Sequence, residues 1–385
     1  MKGPRVHIIS FNIPYPADYG GVIDVFYRIK TLSELGVRIV LHCFSTERLP
    51  AKELEKYCER IYCYPRMTGF LSQLSLIPYI TFSRRSGRLL KNLLADDSPI
   101  LFEGLHCCHL LGHRKLRNRL KLVRMHNIEH FYYGGLAGST KQWSDRLYFS
   151  IETLRLKFFE KVLQSADFIL SLSTSELDYF TQKYGAEKSV YVPLFIPRFT
   201  DLEDDAPRVQ EADYVLYHGD LSTPENGRAA LFLLENVASV DPAIKWVFAG
   251  KRPSGNFLSV ASRYENVEVV ADPDDGEMEK LIRSAAVHVL YSNQVSGVKV
   301  KLIHALQSDG HCIVNELLVK GSGLEVICRV VGNSAGDIFT AVEECLKLSL
   351  STDELARRKD FLEKIYCNRE NGLRIVKFFD GAYRR

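Results

Sequence analysis

The sequence is poor in the features that would place it in a membrane, in an oxidising compartment or on nucleic acid. No run of about 20 consecutive apolar residues occurs, so no segment reads as a membrane-spanning helix. The start, Met1 to Ser10, joins a short basic stretch to an apolar run of only strand length and does not read as a signal peptide. The nine cysteines are odd in number, none is paired at CxxC spacing, and Cys107 and Cys108 are adjacent. This excludes a disulfide framework and argues against structural zinc. It fits reduced thiols in a cytosolic protein. An excess of either charge is also missing: 50 Lys and Arg face 47 Asp and Glu, a net charge of +3, too mild for a nucleic-acid-binding face. No GxGxxG, GxSxG, HExxH, Walker A or EF-hand pattern is present. The acid pairs Asp204-Asp205 and Asp274-Asp275 fall in Pro-containing loops and read as solvated turns, so no metal is expected.

What is present is an ordinary globular composition, 46% hydrophobic and 25% charged, over 385 residues, enough for two domains. Apolar runs alternate with helical periodicity. Val6 to Phe11 reads as a buried strand, Val22 to Leu35 as a helix closed by Gly36, and Val37 to Cys43 as the next strand. Ile100 to Glu103, Leu120 to Arg124, Phe168 to Ser173 and Val190 to Pro193 continue the series. The stretch Trp143 to Ala166 has helical spacing, with Leu147, Ile151, Leu154, Phe158 and Val162 on one face. Hydrophobicity then falls, and the alternation restarts with strands at Tyr214 to Tyr217, Trp246 to Ala249, Val267 to Val270, Val287 to Tyr291 and Cys312 to Asn315. Arg228 to Val237 and Asp353 to Ile365 read as helices. Two successive α/β halves follow. Ligands of such sheets bind beyond the carboxyl ends of the strands, which puts the expected site in a cleft between the halves.

Several strand-end segments carry chemistry. Gly20 and Gly21 precede a helix and permit close approach of backbone to a ligand, or simply a tight turn. Arg124-Met125-His126-Asn127-Ile128-Glu129-His130 gathers polar groups behind a strand, where His126 suits contact with a sugar hydroxyl or a developing charge and Glu129 suits accepting hydroxyl hydrogen bonds. Phe102-Glu103-Gly104-Leu105-His106 ends another strand, and Tyr217-His218-Gly219-Asp220 opens the second half. Lys251 and Arg252 add cations near that edge. Ser296-Gly297-Val298-Lys299-Val300-Lys301 then leads into a helix through His304. A small-residue turn, two lysines and a helix N-terminus suit a diphosphate, or an ordinary turn with solvated lysines. Finally, the basic residues Arg84, Arg85, Arg88 and Lys91 alternate with leucines between Ser83 and Leu94, a pattern that suits an anionic membrane surface or a core-packed surface helix.

Taken together these segments resemble the GT-B glycosyltransferases, in particular the retaining family 4 group. The resemblance rests on Gly20-Gly21, His126 to Glu129, Gly219, Gly250 to Pro253 and the segment Gly297 to Gly310, in that order over nearly the whole chain. It implies an α/β GT-B fold of two Rossmann-like domains facing a central cleft. The expected limits are an acceptor-binding domain at 1–198, a linker at 199–212, a donor-binding domain at 213–366, and a C-terminal helix at 367–385 returning to the first domain. It implies transfer of a sugar, with retention, from a nucleotide-sugar donor to a glycan or lipid-linked acceptor in cell-surface polysaccharide synthesis. The nucleotide-sugar is a substrate, and neither cofactor nor metal is required. His126, Glu129 and Lys301 are the expected catalytic residues. Gly20, Gly21, Gly219, Lys251, Arg252, Ser296, Gly297, Lys299 and His304 are the expected donor-binding ones.

The sequence departs from the family pattern in two places. Ser296 and His304 stand where the family carries two glutamates, and the usual Arg/Lys pair is not evident at Asp220 to Asn226. Lys299, Lys301, Lys251 and Arg252 are expected to supply that charge. A degenerate protein that binds a nucleotide-sugar or a partner enzyme without turnover is the alternative. A sugar-nucleotide epimerase would need a paired acid and base, and no convincing pair is present. The expected location is cytoplasmic, peripheral to the membrane, with no nucleic-acid partner.

Overall fold

The computed structural model describes residues 3–46, 48–49, 51–69, 75–140, 142–197, 212–293, 298–379 and 381. The chain divides into two compact units, Met1–Pro197 with Tyr366–Arg385, and Arg198–Ile365.

The first unit is built on strands β1 (Arg5–Ser10), β2 (Arg38–Ser45), β3 (Arg60–Pro65), β4 (Ile100–Glu103), β5 (Lys121–Arg124), β6 (Phe168–Ser171) and β7 (Ser189–Tyr191). They form a sheet of order β3-β2-β1-β4-β5-β6-β7, parallel throughout. The order reverses between β1 and β4, and at such a switch point the strand carboxyl ends leave a crevice. Helix α1 (Gly20–Glu34) covers one face through Val22, Val25, Phe26, Ile29 and Leu32, the 3.6-residue stripe of a core-facing helix. Short helices α2 (Tyr79–Phe82) and α3 (Gly87–Leu93) follow, then α4 (Glu129–Ser139), α5 (Trp143–Phe159) and α6 (Thr174–Tyr184). Ser173 and Glu176 close a reciprocal capping box on α6.

The second unit repeats the plan. Strands β8 (Ala212–His218), β9 (Lys245–Gly250), β10 (Val267–Ala271), β11 (Ala285–Leu290), β12 (His311–Asn315) and β13 (Arg329–Val331) lie in the order β10-β9-β8-β11-β12-β13, again all parallel. The switch point falls between β8 and β11. Helices α7 (Pro224–Leu233), α8 (Gly255–Ala261), α9 (Asp275–Ser284), α10 (Val300–Leu306), α11 (Glu316–Val319), α12 (Ala335–Leu346) and α13 (Thr352–Tyr366) fill the connections. Helix α14 (Asn368–Phe379) belongs to the first unit. It packs on α1, where a Cβ on Gly372 would lie 2.8 Å from both Leu35 and Thr31, and the tilted rings of Phe378 and Phe168 meet at 4.4 Å. The Asn368 amide grips the main chain of Ile196 by both its N–H and its C=O.

Four details differ from the sequence reading. Helix α1 begins at Gly20, so the paired glycines form its first turn rather than a loop. Edge strands β3 and β13 went unread because their residues are mostly half-buried or exposed and give no solid apolar run. The basic segment is not one helix, and Arg84 is not on its surface. Arg84 is buried and donates to the carbonyls of Phe11 and Ile80, while Arg85, Arg88 and Lys91 are exposed. In α5, Leu147, Ile151, Leu154 and Phe158 do share a face, but that face is exposed. Glu152 and Leu156 are the buried residues.

The second sheet is closest-packed at the β8–β9 ends. A Cβ on Gly250 would lie 1.7 Å from the carbonyl oxygen of Gly219, and Gly219 itself has a φ of +156°. Backbone cannot yield to that overlap as a side chain can. Gly250→Ala is therefore expected to destabilise the second unit by on the order of 3 kcal/mol, read by chemical denaturation.

Candidate functional site

At the carboxyl ends of β1, β4 and β5 the first unit assembles a buried charge network. Asp24 and Arg28, one turn apart on α1, point inward. Arg28 donates to Asp24 at 2.6 Å and, by its other nitrogen, to Glu103 at the end of β4. Arg124, at the end of β5, donates to both oxygens of Asp24 at 3.1 and 2.8 Å and to the carbonyls of Val192 and Pro193. The Phe195 N–H completes the Asp24 shell at 2.9 Å. Burial alone would push the Asp24 carboxyl up, but Arg124 and Arg28 outweigh it and hold it well below the usual carboxylate range.

The second oxygen of Glu103 meets Nε2 of His126 at 3.0 Å. A carboxylate committed to an arginine only accepts, so His126 carries a proton on Nε2. The Phe11 ring lies 5.4 Å from His126 and 5.4 Å from His106. Gly21 sits against Phe11: a Cβ there would come within 2.9 Å of the ring. Gly104, at φ +62°, passes beneath both histidines. Asp24, Glu103 and His126 offer ligand atoms within 4.8 Å of one another. The two guanidinium groups already bonded to these carboxylates make that set unfit for a cation.

Glu129 is the first residue of α4 and only 2% exposed. Its carboxyl lies 3.7 Å from Nδ1 of His106, too far for a hydrogen bond, and neither of these atoms bonds to another described residue. Burial, then the Glu176 charge, push Glu129 up to about 8 against the opposing Arg84, while burial and Arg84 hold His106 well below its usual value. At neutral pH the pair is a protonated acid facing a neutral imidazole.

In the second unit the corresponding edge gathers Gly219 after β8, the α7 N-terminus capped by Thr223, Ser292 after β11, and Lys299 with Lys301 at the start of α10. Lys299 donates to Glu225 at 2.9 Å, and Ser292 to the same oxygen at 2.7 Å. Lys301 donates to Asn226 at 2.9 Å and sits 4.9 Å above the Tyr217 ring. Burial and the neighbouring Lys299 charge bring Lys301 down to about 7, with Glu225 opposing. Burial also lowers His304 to about 4 and His288 to about 3, and holds His218 well below its usual value, so all three rings are neutral. Asn315 pins Ser292 by a pair of bonds to its main-chain N–H and C=O. After β9, Lys251 is half-buried. Arg252 is exposed, at φ +48°, and bonds Ser222 at 3.1 Å.

The structure thus groups His126 with Gly21 and Phe11 in one unit, and Lys299 and Lys301 with Gly219 in the other. Ser296 and Gly297 lie outside the described residues. Asp24, Arg28 and Arg124 were not anticipated as site residues, although charged residues at i and i+4 inside an apolar helix stripe were a readable signal. Glu225, Ser292 and Asn315 were likewise missed, since their role depends on which strand ends become neighbours.

The fold is GT-B, shared with glycosyltransferases of known structure. Sucrose-phosphate synthase from Thermosynechococcus elongatus aligns with a TM-score of 0.68 at 13% identity, covering 99% of both chains. Anabaena HepE in complex with UDP and glucose aligns at 0.66 and 12%, covering 98% of this chain and 99% of its own. A UDP-forming trehalose-phosphate synthase from Burkholderia xenovorans, in complex with glucose-6-phosphate, aligns at 0.65 and 12%, covering 97% and 100%. In sequence, a Klebsiella pneumoniae protein described as an uncharacterized 44.6 kDa protein in the cps region is 24% identical over 336 residues, 83% of this chain and 84% of its own. No family model matches the chain.

The raised Glu129 carboxyl has a direct consequence for stability. Its folded value lies above the unfolded one, so its contribution is fully present below about pH 4 and is lost as pH rises towards 8. Glu129→Gln removes that loss. The variant is expected to gain about 1–3 kcal/mol on the wild type at pH 9 and little at pH 4, measured by denaturant unfolding at the two pH values.

Proposed function

We propose that the protein is a retaining, family 4-like GT-B glycosyltransferase. It moves a sugar from a nucleotide-sugar to a glycan or lipid-linked acceptor in polysaccharide synthesis, in the cytoplasm and without a metal. The observation that carries this reading is the lysine pair Lys299 and Lys301 at the α10 start, beside the β8–β11 switch point of a GT-B fold. The neighbours' names support the substrate class, and the cps-region relative supports the polysaccharide setting.

The reaction asks the protein chiefly to stabilise a leaving nucleoside diphosphate. Lys299 and Lys301 face that charge, with Gly219 giving room and Lys251 and Arg252 adding positive field. His304, neutral, takes a ribose hydroxyl. His126 presents Nδ1 to a sugar hydroxyl. Protonated Glu129 stands 3.7 Å from His106 and adds no negative charge beside it.

Lys301 supplies a sharp test. Near a value of 7 it is mostly neutral at pH 8, and an arriving diphosphate restores its charge. Binding of UDP, or of whichever of GDP, ADP and CMP gives the largest thermal shift, is expected to take up close to one proton at pH 8. Calorimetry in buffers of different ionisation enthalpy reads this directly. Lys301→Ala is expected to abolish the uptake and to lower turnover by roughly 2–3 kcal/mol of transition-state stabilisation. His304→Ala mainly raises KM for donor. No nucleotide binding, or binding with no proton uptake, removes Lys301 from the site.

The degenerate alternative draws on Glu225, which pairs with Lys299 at 2.9 Å. Slow hydrolysis of the donor to free sugar, abolished in Lys301→Ala, separates an active enzyme from a binding protein. A chelator is expected to leave that rate unchanged.

The carboxylate behind His126 gives an independent check. Glu103→Gln offers an amide in place of the ion-paired acceptor, so the His126 tautomer is no longer fixed. Turnover is expected to fall about 10- to 100-fold with nucleotide affinity unchanged, and the imidazole 15N shifts should lose the Nε2–H pattern.

A further inference from the structure

Helix α5 presents an apolar stripe to solvent. Trp143, Leu147, Ile151, Leu154 and Phe158 are 79%, 54%, 41%, 57% and 68% exposed. At 3.6 residues per turn they fall within about 80° of arc and run about 22 Å along the helix. Large exposed side chains scattered singly need no explanation, but five aligned on one helix face do. The opposite side is fixed to the first unit: Leu156 is buried, and Glu152 accepts from the Tyr79 N–H at 2.8 Å and from Arg155 at 2.7 Å. Rotation of the helix to hide the stripe would break those bonds.

The charges around the stripe select its occupant. Arg146 and Lys157 flank it on one side, and Lys161 stands exposed just beyond the helix end. Glu152 and Glu160 are buried and bonded, which leaves Asp145 as the exposed acid of this segment. A second copy fits poorly. Antiparallel pairing about Ile151 would set Arg146 of each copy against Lys157 of the other, like charge against like. An apolar face ending in Trp and Phe, rimmed by Arg and Lys and lying along the surface, matches an interfacial helix.

We infer that the exposed face of α5 seats the protein on a lipid surface carrying anionic headgroups. The stripe enters the headgroup boundary, and Arg146, Lys157 and Lys161 meet the lipid charge. This surface replaces the Arg84 to Lys91 segment as the membrane contact, and it does not depend on the glycosyltransferase reading.

The chain has two tryptophans, and Trp246 is buried in the core of the second unit, so a change in emission on binding reports Trp143. The full chain is mixed with vesicles of phosphatidylcholine alone or with 30% phosphatidylglycerol, a composition we choose as roughly that of an anionic leaflet. The expected result is co-flotation with the anionic vesicles only, weakening as salt rises, with a blue shift of tryptophan emission. Leu147→Gln with Leu154→Gln is expected to lower partitioning about tenfold or more, and Arg146→Gln with Lys157→Gln and Lys161→Gln to a similar extent. Arg85→Gln with Arg88→Gln and Lys91→Gln should leave it unchanged. Absence of vesicle binding overturns the inference, as does binding without an emission shift in the wild-type chain. So do binding that survives the α5 variants, and a concentration-dependent dimer that Leu147→Gln with Leu154→Gln dissolves while vesicles are ignored.

Discussion

Much of the strand-carboxyl end of the first sheet is hung on one buried carboxylate. Asp24 receives two nitrogens of Arg124, one of Arg28 and the Phe195 N–H, and so ties α1 to β5 and to the chain that follows β7. Arg28 carries the link on to Glu103 and β4, and Glu103 to His126. Two carboxylates and two guanidiniums cancel in charge, which is why such a cluster survives in an interior. Removing any one member strands a charge and costs about 3–5 kcal/mol. The network is an expensive way to hold helix to sheet, and apolar residues would do that as well. It also gives direction: an ionised acceptor presented to a single imidazole nitrogen.

The second unit solves a different problem. Its edge holds no closed network of opposite charges among the described residues. Lys299 has one carboxylate partner, and Lys301 rests on an amide oxygen and a ring face. Three neutral histidines, His218, His288 and His304, line this part of the unit without adding charge: His304 lies in the last turn of α10, and His288 bonds Ser308 just past its end. A lysine lowered to about 7 is cheap to bury, because much of it is neutral at physiological pH. One edge is therefore rigid and electrically finished, the other adjustable and incomplete.

The alternation of apolar runs with helical stripes carried most of the fold, because buried strands such as Ile100–Glu103 and Lys245–Gly250 leave short apolar runs, Ile100 to Phe102 and Trp246 to Ala249. Two of the four edge strands, Arg60–Pro65 and Arg329–Val331, left no such trace, since their residues alternate with exposed or half-exposed polar groups and form no apolar run. The site was readable one loop at a time. His126, Lys299 and Lys301 stood out as polar groups just beyond strands. Their partners did not, because Glu103, Glu225 and Asn226 acquire meaning only when the strand order makes β4 a neighbour of β5 and β8 a neighbour of β11.

The same limit explains helix α5. Periodicity finds a stripe but not the direction in which it faces, and an apolar stripe ordinarily faces the core. In α1 the residues that betray the inward side are not the valines and isoleucines but Asp24 and Arg28, charged groups at helical spacing that only a prepared interior tolerates. In α5 the equivalent is Glu152, buried and bonded to a distant main-chain N–H. Its position, about 100° around the helix from Ile151 and about 140° from Leu147, is what turns those leucine and isoleucine side chains outward. A buried, partnered charge fixes the orientation of a helix more firmly than hydrophobicity does, because an apolar face can be covered by many things and an ion pair only by its partner.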